Sequence, residues 1–319
     1  MIHVAAGALI DPQGRVLLAR RHDDSHQGGL WEFPGGKLEV GESADDGLGR
    51  ELYEELGVRV TSHRPLIRVH HEYKDRRVLL DVHRVESWEG EPHGREDQPL
   101  AWVEPRHLAD YPMPAADRPI VSALQLPTSY LITPPRLDDR AAFLATLDSA
   151  LKQGARLVQL RLFDLSEAVL RELGREACAL CHERGARVLL NGESAMARAI
   201  GADGLHLNGR SLAQSRKRPL PDDYLLAASC HSPDDLARAE QIGADFALLS
   251  PVLPTRSHPD ADPLGWERFA AWVDRAKLPV YALGGMHSGL IATAWRHGGQ
   301  GIAGIRGLWG DEASAPSVG

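Results

Sequence analysis

From Glu42 onward six carboxylates, Glu42, Asp45, Asp46, Glu51, Glu54 and Glu55, crowd the stretch GGKLEVGESADDGLGRELYEELGV between Gly35 and Val58. Carboxylates packed this closely repel one another unless something of opposite charge binds them. Within ADDGLGRELYEELG, residues 44–57, Leu48, Leu52 and Leu56 recur every four residues and would bury one stripe of a helix. Glu51, Glu54 and Glu55 stand at i, i+3 and i+4, so their side chains share another face. Ser43 with Asp46 resembles a capping box, and Gly57 provides the stop. Gly47 and Gly49 inside the helix cost about 1 kcal/mol each relative to alanine. The preceding loop and the leucine packing must therefore hold this helix in place. A charge run usually marks a solvated face, but the spacing here argues otherwise.

Gly36, five residues, Glu42, seven residues, then Arg50-Glu51-Leu52-Tyr53-Glu54-Glu55-Leu56-Gly57-Val58 resembles the Nudix box in full. Seven fixed identities and two aliphatic positions would coincide by chance on the order of once in a million chains of this size or less, at ordinary residue frequencies. An oxygen-rich, thiol-free donor set suits Mg²⁺, with Mn²⁺ as the alternative, and such an ion neutralises a di- or triphosphate.

Within the Nudix superfamily residues 1–125 look most like the MutT hydrolases of oxidised guanine nucleotides. The stretches ARRHDDSHQGGLWEFPGGK, ESWEGEPHGREDQP and MPAADRPI carry the likeness. That resemblance implies that the Gly35 carbonyl and the Glu51, Glu54 and Glu55 carboxylates hold the metal, with Glu96 as an outlying ligand or base. It makes Glu51 the group that activates water, braced by Arg50. Arg21 and Arg76 would contact the nucleotide, and the turn Glu32-Phe33-Pro34-Gly35 would line its pocket. One position departs: where the family has an asparagine reading the oxidised purine edge, this chain has Asp117. An aspartate accepts hydrogen bonds and donates only when protonated. The plainer reading of Asp117 is a surface residue in a Pro-Ala-Ala-Asp turn. His70, His71, His83, His93 and His107 share no spacing and receive no role.

At 319 residues the chain fits two domains. Its hydrophobic content of 43%, charged content of 25% and net charge of -8 describe a globular protein without a broad nucleic-acid or membrane surface. The start, MIHVAAGALIDPQGRVLLARR, has no basic segment ahead of an apolar run and reads as two strands around a turn at residues 11–14. A cytoplasmic protein is expected, with no membrane or nucleic-acid partner. Three cysteines exclude a secreted disulfide framework. Cys178, Cys181 and His182 spell the haem-attachment pattern CxxCH, yet lie in an amphipathic helix running into a strand, a structural setting.

LPTSY, residues 126–130, has the composition of a linker, and after it the pattern becomes strict alternation. Apolar strand candidates occur at 130–134, 156–162, 187–192, 204–208, 225–231, 246–252, 279–285 and 301–307, mostly separated by helix-period segments. Eight strands alternating with helices suggest a (β/α)8 barrel, with a doubly wound open sheet as the alternative. The segment after GLHLN is polar and poor in helix signals.

Residues 130–310 resemble the thiamine-phosphate synthase and TenI (thiazole tautomerase) family through VQLR, LLNG, GADGLHL, SCHSPDDLARAEQIGADFALLSPVLPTRSH, LPVYALGGM and GIAGIRGLW. The resemblance implies a TIM-type barrel with ligands at the C-terminal strand ends, where Arg161, Asn191, Asn208, His231, Gly284 and Gly285 fall. Gly284, Gly285 and the turn at Ile305 and Arg306 could offer backbone N–H groups to a phosphate. The departures weigh more. Gly192 and Ser211 stand where synthases carry the aspartates of a Mg²⁺ site, Phe163 replaces a lysine, and the TKTK loop reads Thr255-Arg256-Ser257-His258. His231 resembles the tautomerase histidine that moves a proton.

The expected architecture is therefore an α+β Nudix fold, a mixed sheet between helices, over residues 1–126. An α/β TIM-type barrel follows over 130–312. The expected activity is Mg²⁺-dependent hydrolysis of 8-oxo-dGTP to the monophosphate and pyrophosphate, beside a barrel lacking synthase activity. The rival is a thiamine-metabolism enzyme that cleaves a thiamine-related pyrophosphate, its barrel binding or tautomerising a thiazole phosphate. A third reading makes the barrel a ligand-binding or dimerising module. The sequence leaves the oligomeric state open.

Overall fold

The computed structural model describes residues 1–24, 27–73, 76–255 and 262–309. The chain divides into two compact units, Met1–Gln125 and Leu126–Gly319.

In the first unit the strands are β1 (Ile2–Leu9), β2 (Val16–Arg20), β3 (Trp31–Glu32), β4 (Gly35–Lys37), β5 (Arg59–Glu72), β6 (Arg77–Glu89) and β7 (Leu100–Val103). Helix α1 (Ala44–Leu56) follows β4, and α2 (Arg118–Gln125) closes the unit. A four-stranded mixed sheet runs β4-β1-β6-β5, with β1 and β6 parallel, and a second sheet runs β3-β2-β7. The two strands expected around residues 11–14 are present. They diverge into different sheets after a single bridge between Ile10 and Val16, and Asp11 Oδ1 accepts the Gln13 and Arg15 N–H groups in the turn.

Alternation along β1 sends Ala5 and Leu9 to the core beneath α1, with Leu17, Leu48, Leu52 and Leu56, and sends Ala6 and Ala8 to the core containing Phe33, Ile120 and Leu124. The leucine stripe is fully buried, as its spacing requires. A side chain at Gly7 would meet Leu52 Cδ1 at 2.8 Å, so the missing Cβ lets α1 lie close on β1. Ser43 caps α1 by accepting the Asp46 N–H, and Gly57 ends it at φ 72°. Gly47 has a packing reason, because its Cβ would strike Leu38 at 2.1 Å.

The second unit is a closed barrel of eight parallel strands. They are β8 (Ser129–Ile132), β9 (Leu157–Leu160), β10 (Arg187–Leu190), β11 (Gly204–Leu207), β12 (Leu225–Cys230), β13 (Phe246–Leu249), β14 (Val280–Leu283) and β15 (Gly301–Gly304). Between them run α3 (Arg140–Lys152), α4 (Glu167–Glu183), α5 (Ser194–Ile200), α6 (Gly209–Gln214), α7 (Pro233–Gln241), α8 (Gly265–Val273) and α9 (Ile291–Arg296). Pairing of β15 with β8 closes the sheet and excludes the open alternative. Tyr130, Leu157, Leu189, Phe246 and Tyr281 fill the interior, while a larger apolar layer joins strands to helices.

The unit after GLHLN is a six-residue helix capped by Asn208 and followed by a long irregular connection. Residues 126–130 are built into the barrel rather than left as a bare linker. Leu126 packs with the interior cluster, and its carbonyl accepts from Gln300. Cys178 and Cys181 are buried in α4, and burial pushes both thiols up to about 12, which fits the structural reading. Among the described residues no helix is long and apolar enough to cross a membrane.

Candidate functional site

Strand β4 and helix α1 bring the acidic residues together. Gly35 has φ 147°, and a Cβ there would lie 2.2 Å from the Ala5 carbonyl, so only glycine allows β4 to pair with β1 at this point. Its N–H donates to Glu55 Oε2 at 3.1 Å. A Cβ on Gly36 would lie 2.3 Å from Glu51 Oε2, which places the Glu51 carboxylate directly on the glycine backbone. Arg50 is held from several sides. It donates to Glu42 at 2.9 and 2.8 Å, to Glu51 at 2.9 Å, to Glu54 at 3.1 Å and to the Lys37 carbonyl at 3.1 Å. Its hydrogen bonds hold the Glu42 carboxyl down at about 2.

The loop carrying Glu96 docks on the open end of α1. The Arg95 N–H and the Gln98 amide both donate to the Glu55 carbonyl, at 2.9 and 3.1 Å. The His93 N–H donates to that of Leu56 at 3.2 Å. These bonds satisfy carbonyls a helix end leaves unpaired. Burial raises the Glu55 carboxyl to about 8, and the charges of Glu32, Glu51 and Glu96 add to the effect.

These groups fit a hard divalent cation. All are oxygen donors, and burial raises the carboxyl of one of them, Glu55, to about 8. Glu51 and Glu54 turn to Arg50, and Glu55 turns to the Gly35 amide.

A second group lies toward the start of α2. Arg21 is paired with Glu32. Asp117, in a 3-10 turn, is 6% exposed, and its Oδ2 has no hydrogen-bond partner. The surface-turn reading of Asp117 is therefore corrected. Burial lifts its carboxyl to about 8, Glu32 adds to the rise and Arg21 opposes it. Tyr73, which the sequence did not single out, feels both Asp117 and Glu32 and belongs to the same group. Its position at the end of β5, opposite Arg76, whose carbonyl accepts its N–H at 2.8 Å, was the available signal. Phe33 points into the core, and Pro34 contributes its carbonyl to the Gly7 N–H, so this part of the turn lines the site through backbone.

In the barrel, a cavity of about 450 Å³ opens at the C-terminal strand ends. Arg161, Asn191, Asn208, His231, Gly284 and Gly285 all line it, together with Arg306. Asn208 spends its side-chain oxygen on the Ser211 N–H as the α6 cap. The His231 Nδ1 lies 2.9 Å from the Ser250 carbonyl, so this nitrogen carries the proton and Nε2 is left as the acceptor. The Arg161 guanidinium stacks 5.0 Å from the Phe163 ring. Gly284 and Gly285 have φ of 99° and 69°, and a Cβ on the second would meet Leu253 at 2.8 Å. Among the described residues no carboxylate lines this cavity. Residues 256–258 of the TKTK-equivalent loop lie outside the described residues.

A mixed sheet carrying an acidic box on its helix defines a Nudix hydrolase, and it is fused to an eight-stranded barrel. The chain belongs to the thiamine monophosphate synthase (TMP-TENI) family, matched over residues 129–308, and carries a NUDIX domain matched over residues 5–123. A protein of Aquifex aeolicus (strain VF5), provisionally named thiamine-phosphate synthase 2, is 38% identical over 182 residues, 57% of this chain and 97% of the relative. The 8-oxo-dGTP diphosphatase of Escherichia coli (strain K12) is 34% identical over 124 residues, 39% of this chain and 96% of the relative. The CTP pyrophosphohydrolase of the same organism is 40% identical over 123 residues, 39% of this chain and 90% of the relative.

Proposed function

We propose that residues 1–126 hydrolyse 8-oxo-dGTP to the monophosphate and pyrophosphate with Mg²⁺, removing an oxidised nucleotide from the pool. Asp117 carries this reading. A buried carboxyl with a raised pKa is neutral at pH 7, and a neutral acid offers one donor and one acceptor side by side. Oxidised guanine presents the complement, an O6 acceptor beside an N7–H donor. The acid does what an asparagine amide would do at the same place.

Gly35, Glu51, Glu54, Glu55 and Glu96 would hold the metal, which supplies charge neutralisation of the phosphates and a more acidic water. Glu51, kept in place by Arg50 and the Gly36 backbone, takes the proton from the attacking water. Arg21 and Arg76 contact the nucleotide, and Glu32 orients Arg21.

The second reading rests on the likeness to the CTP pyrophosphohydrolase. An ionised Asp117 would accept from the cytosine amino group, so a pyrimidine nucleotide is the alternative when the acid is charged. The barrel, with two arginines and no described carboxylate in its cavity, suits a phosphorylated ligand such as a thiazole phosphate bound without a metal. Synthase chemistry on a diphosphate is not expected there.

A competition assay with Mg²⁺ and 8-oxo-dGTP, dGTP, CTP and thiamine diphosphate tests these readings, with Glu51→Gln and Glu55→Gln as controls. Preferred turnover of 8-oxo-dGTP at pH 7, lost in both controls, supports the proposal. Better turnover of CTP or thiamine diphosphate overturns it.

A further inference from the structure

His83 received no role from its spacing, and its neighbours explain why spacing could not reveal one. The β5–β6 register breaks at Val60/Ser62, Ser62/His63 and Pro65/Ile67. Between the last two breaks the pairing is regular, His63 opposite Val85 and Pro65 opposite His83, so the two histidines are diagonal neighbours, and their Nδ1 atoms lie 2.9 Å apart. Asp45, in the first turn of α1, brings Oδ1 to 3.7 Å from His83 Nδ1 and 4.0 Å from His63 Nδ1.

A triangle with sides of 2.9, 3.7 and 4.0 Å has its equidistant point about 2.1 Å from each corner, which matches the bond lengths of Zn²⁺ to imidazole nitrogen and carboxylate oxygen. Among the described residues these three are the one group of such ligands gathered this closely.

The surroundings complete the pattern. His83 is 4% exposed, and its other nitrogen, Nε2, faces Asp81 Oδ1 at 3.4 Å. A carboxylate on the far N–H of a ligating histidine fixes the tautomer that leaves the near nitrogen free to bind metal. Asp81 is itself held by Arg68 at 3.2 Å and His3 at 3.5 Å.

We propose that Asp45, His63 and His83 bind a borderline transition-metal ion of the Zn²⁺ type, at a site separate from the acidic face of α1. Two imidazoles and one carboxylate select such an ion over Mg²⁺. Occupation ties the first turn of α1 to the β5–β6 pair. The same helix carries Glu51, Glu54 and Glu55, so the ion fastens the element on which the hydrolase site is built.

The test is equilibrium dialysis of the untagged full chain against micromolar Zn²⁺ with millimolar Mg²⁺ present, followed by X-ray absorption at the zinc edge. The expected result is one Zn²⁺ per chain with two imidazoles in its shell. A Glu54→Gln/Glu55→Gln variant keeps this ion. His63→Ala weakens it at least a hundredfold and Asp45→Asn at least tenfold, both with unchanged circular dichroism. These two positions are chosen because neither is fully buried, so the fold survives their replacement. Retention of the ion by His63→Ala, its loss with the α1 glutamates, or no uptake by the wild type would overturn the proposal.

Discussion

Glu55 Oε2 accepts the Gly35 backbone N–H at 3.1 Å while its carboxyl is raised to about 8, chiefly by burial and then by Glu32, Glu51 and Glu96. One hydrogen bond does not balance that burial and repulsion, so near neutral pH the site without its ion holds a proton on Glu55. A divalent cation must displace this proton. Mn²⁺ affinity should therefore tighten as pH rises from 6 to 8 and level off above, with close to one proton released per ion near pH 7. Calorimetry in two buffers of different ionisation enthalpy counts that proton. Glu55→Gln should flatten the pH dependence and weaken binding at least tenfold. The linkage has a matching sign in stability. The folded carboxyl titrates above the unfolded one, so this group's contribution is present below about 4.5 and lost as pH rises through about 8. Saturating metal should restore it.

Arg50 touches Glu42, Glu51, Glu54 and the Lys37 carbonyl at once, a geometry that a planar guanidinium can satisfy and an ammonium cannot. Arg50→Lys should keep the fold and lower kcat about a hundredfold, since Glu51 loses its support. Rescue by lysine to within threefold of wild type would show that charge alone suffices.

Five residues mark how far the sequence reached. Leu52 was legible as core because a helix buries every fourth position, and the eight barrel strands were legible because each is a short apolar run between helix-period segments. Glu55 was legible as a ligand candidate from its place in the box, but not its raised pKa, which comes chiefly from burial and then from charges such as Glu32 and Glu96 on distant elements. Asp117 was legible as a base-reading candidate from its place in the family pattern, but not its burial, since a Pro-Ala-Ala-Asp turn reads as solvent-facing and the burial comes from tertiary packing. His63 and His83 meet as diagonal neighbours across β5 and β6, a long-range pairing that no local pattern announces.

Under the proposed reading, the acid at Asp117 makes base selectivity depend on pH. Below about 8 the carboxyl is neutral and can donate as well as accept; above it the group only accepts. Preference for 8-oxo-dGTP over CTP, read as a ratio of kcat/KM values, should be greatest near pH 7 and fall about tenfold by pH 9.5. Asp117→Asn should retain the pH 7 preference and hold it across that range. A wild-type ratio that stays flat to pH 9.5 would remove Asp117 from base reading.

In the barrel, the proposed reading gives binding to Arg161 and proton transfer to His231. The Arg161 guanidinium lies in the cavity mouth, half-buried and stacked on Phe163, where it can meet a phosphate. His231 presents Nε2 as a base because Nδ1 is committed to the Ser250 carbonyl. Arg161→Ala should weaken binding of a thiazole phosphate at least tenfold, measured by calorimetry, and leave nucleotide hydrolysis unchanged. His231→Ala should leave that affinity within threefold but abolish any solvent proton exchange into the bound thiazole, followed by NMR in deuterated water. If the wild type binds the ligand and exchanges no proton, the cavity is a binding site and His231 has no catalytic part in it. If neither substitution changes binding or exchange, the phosphate is held by the Gly284, Gly285 and Arg306 end of the cavity instead, and the glycine backbone becomes the group to alter.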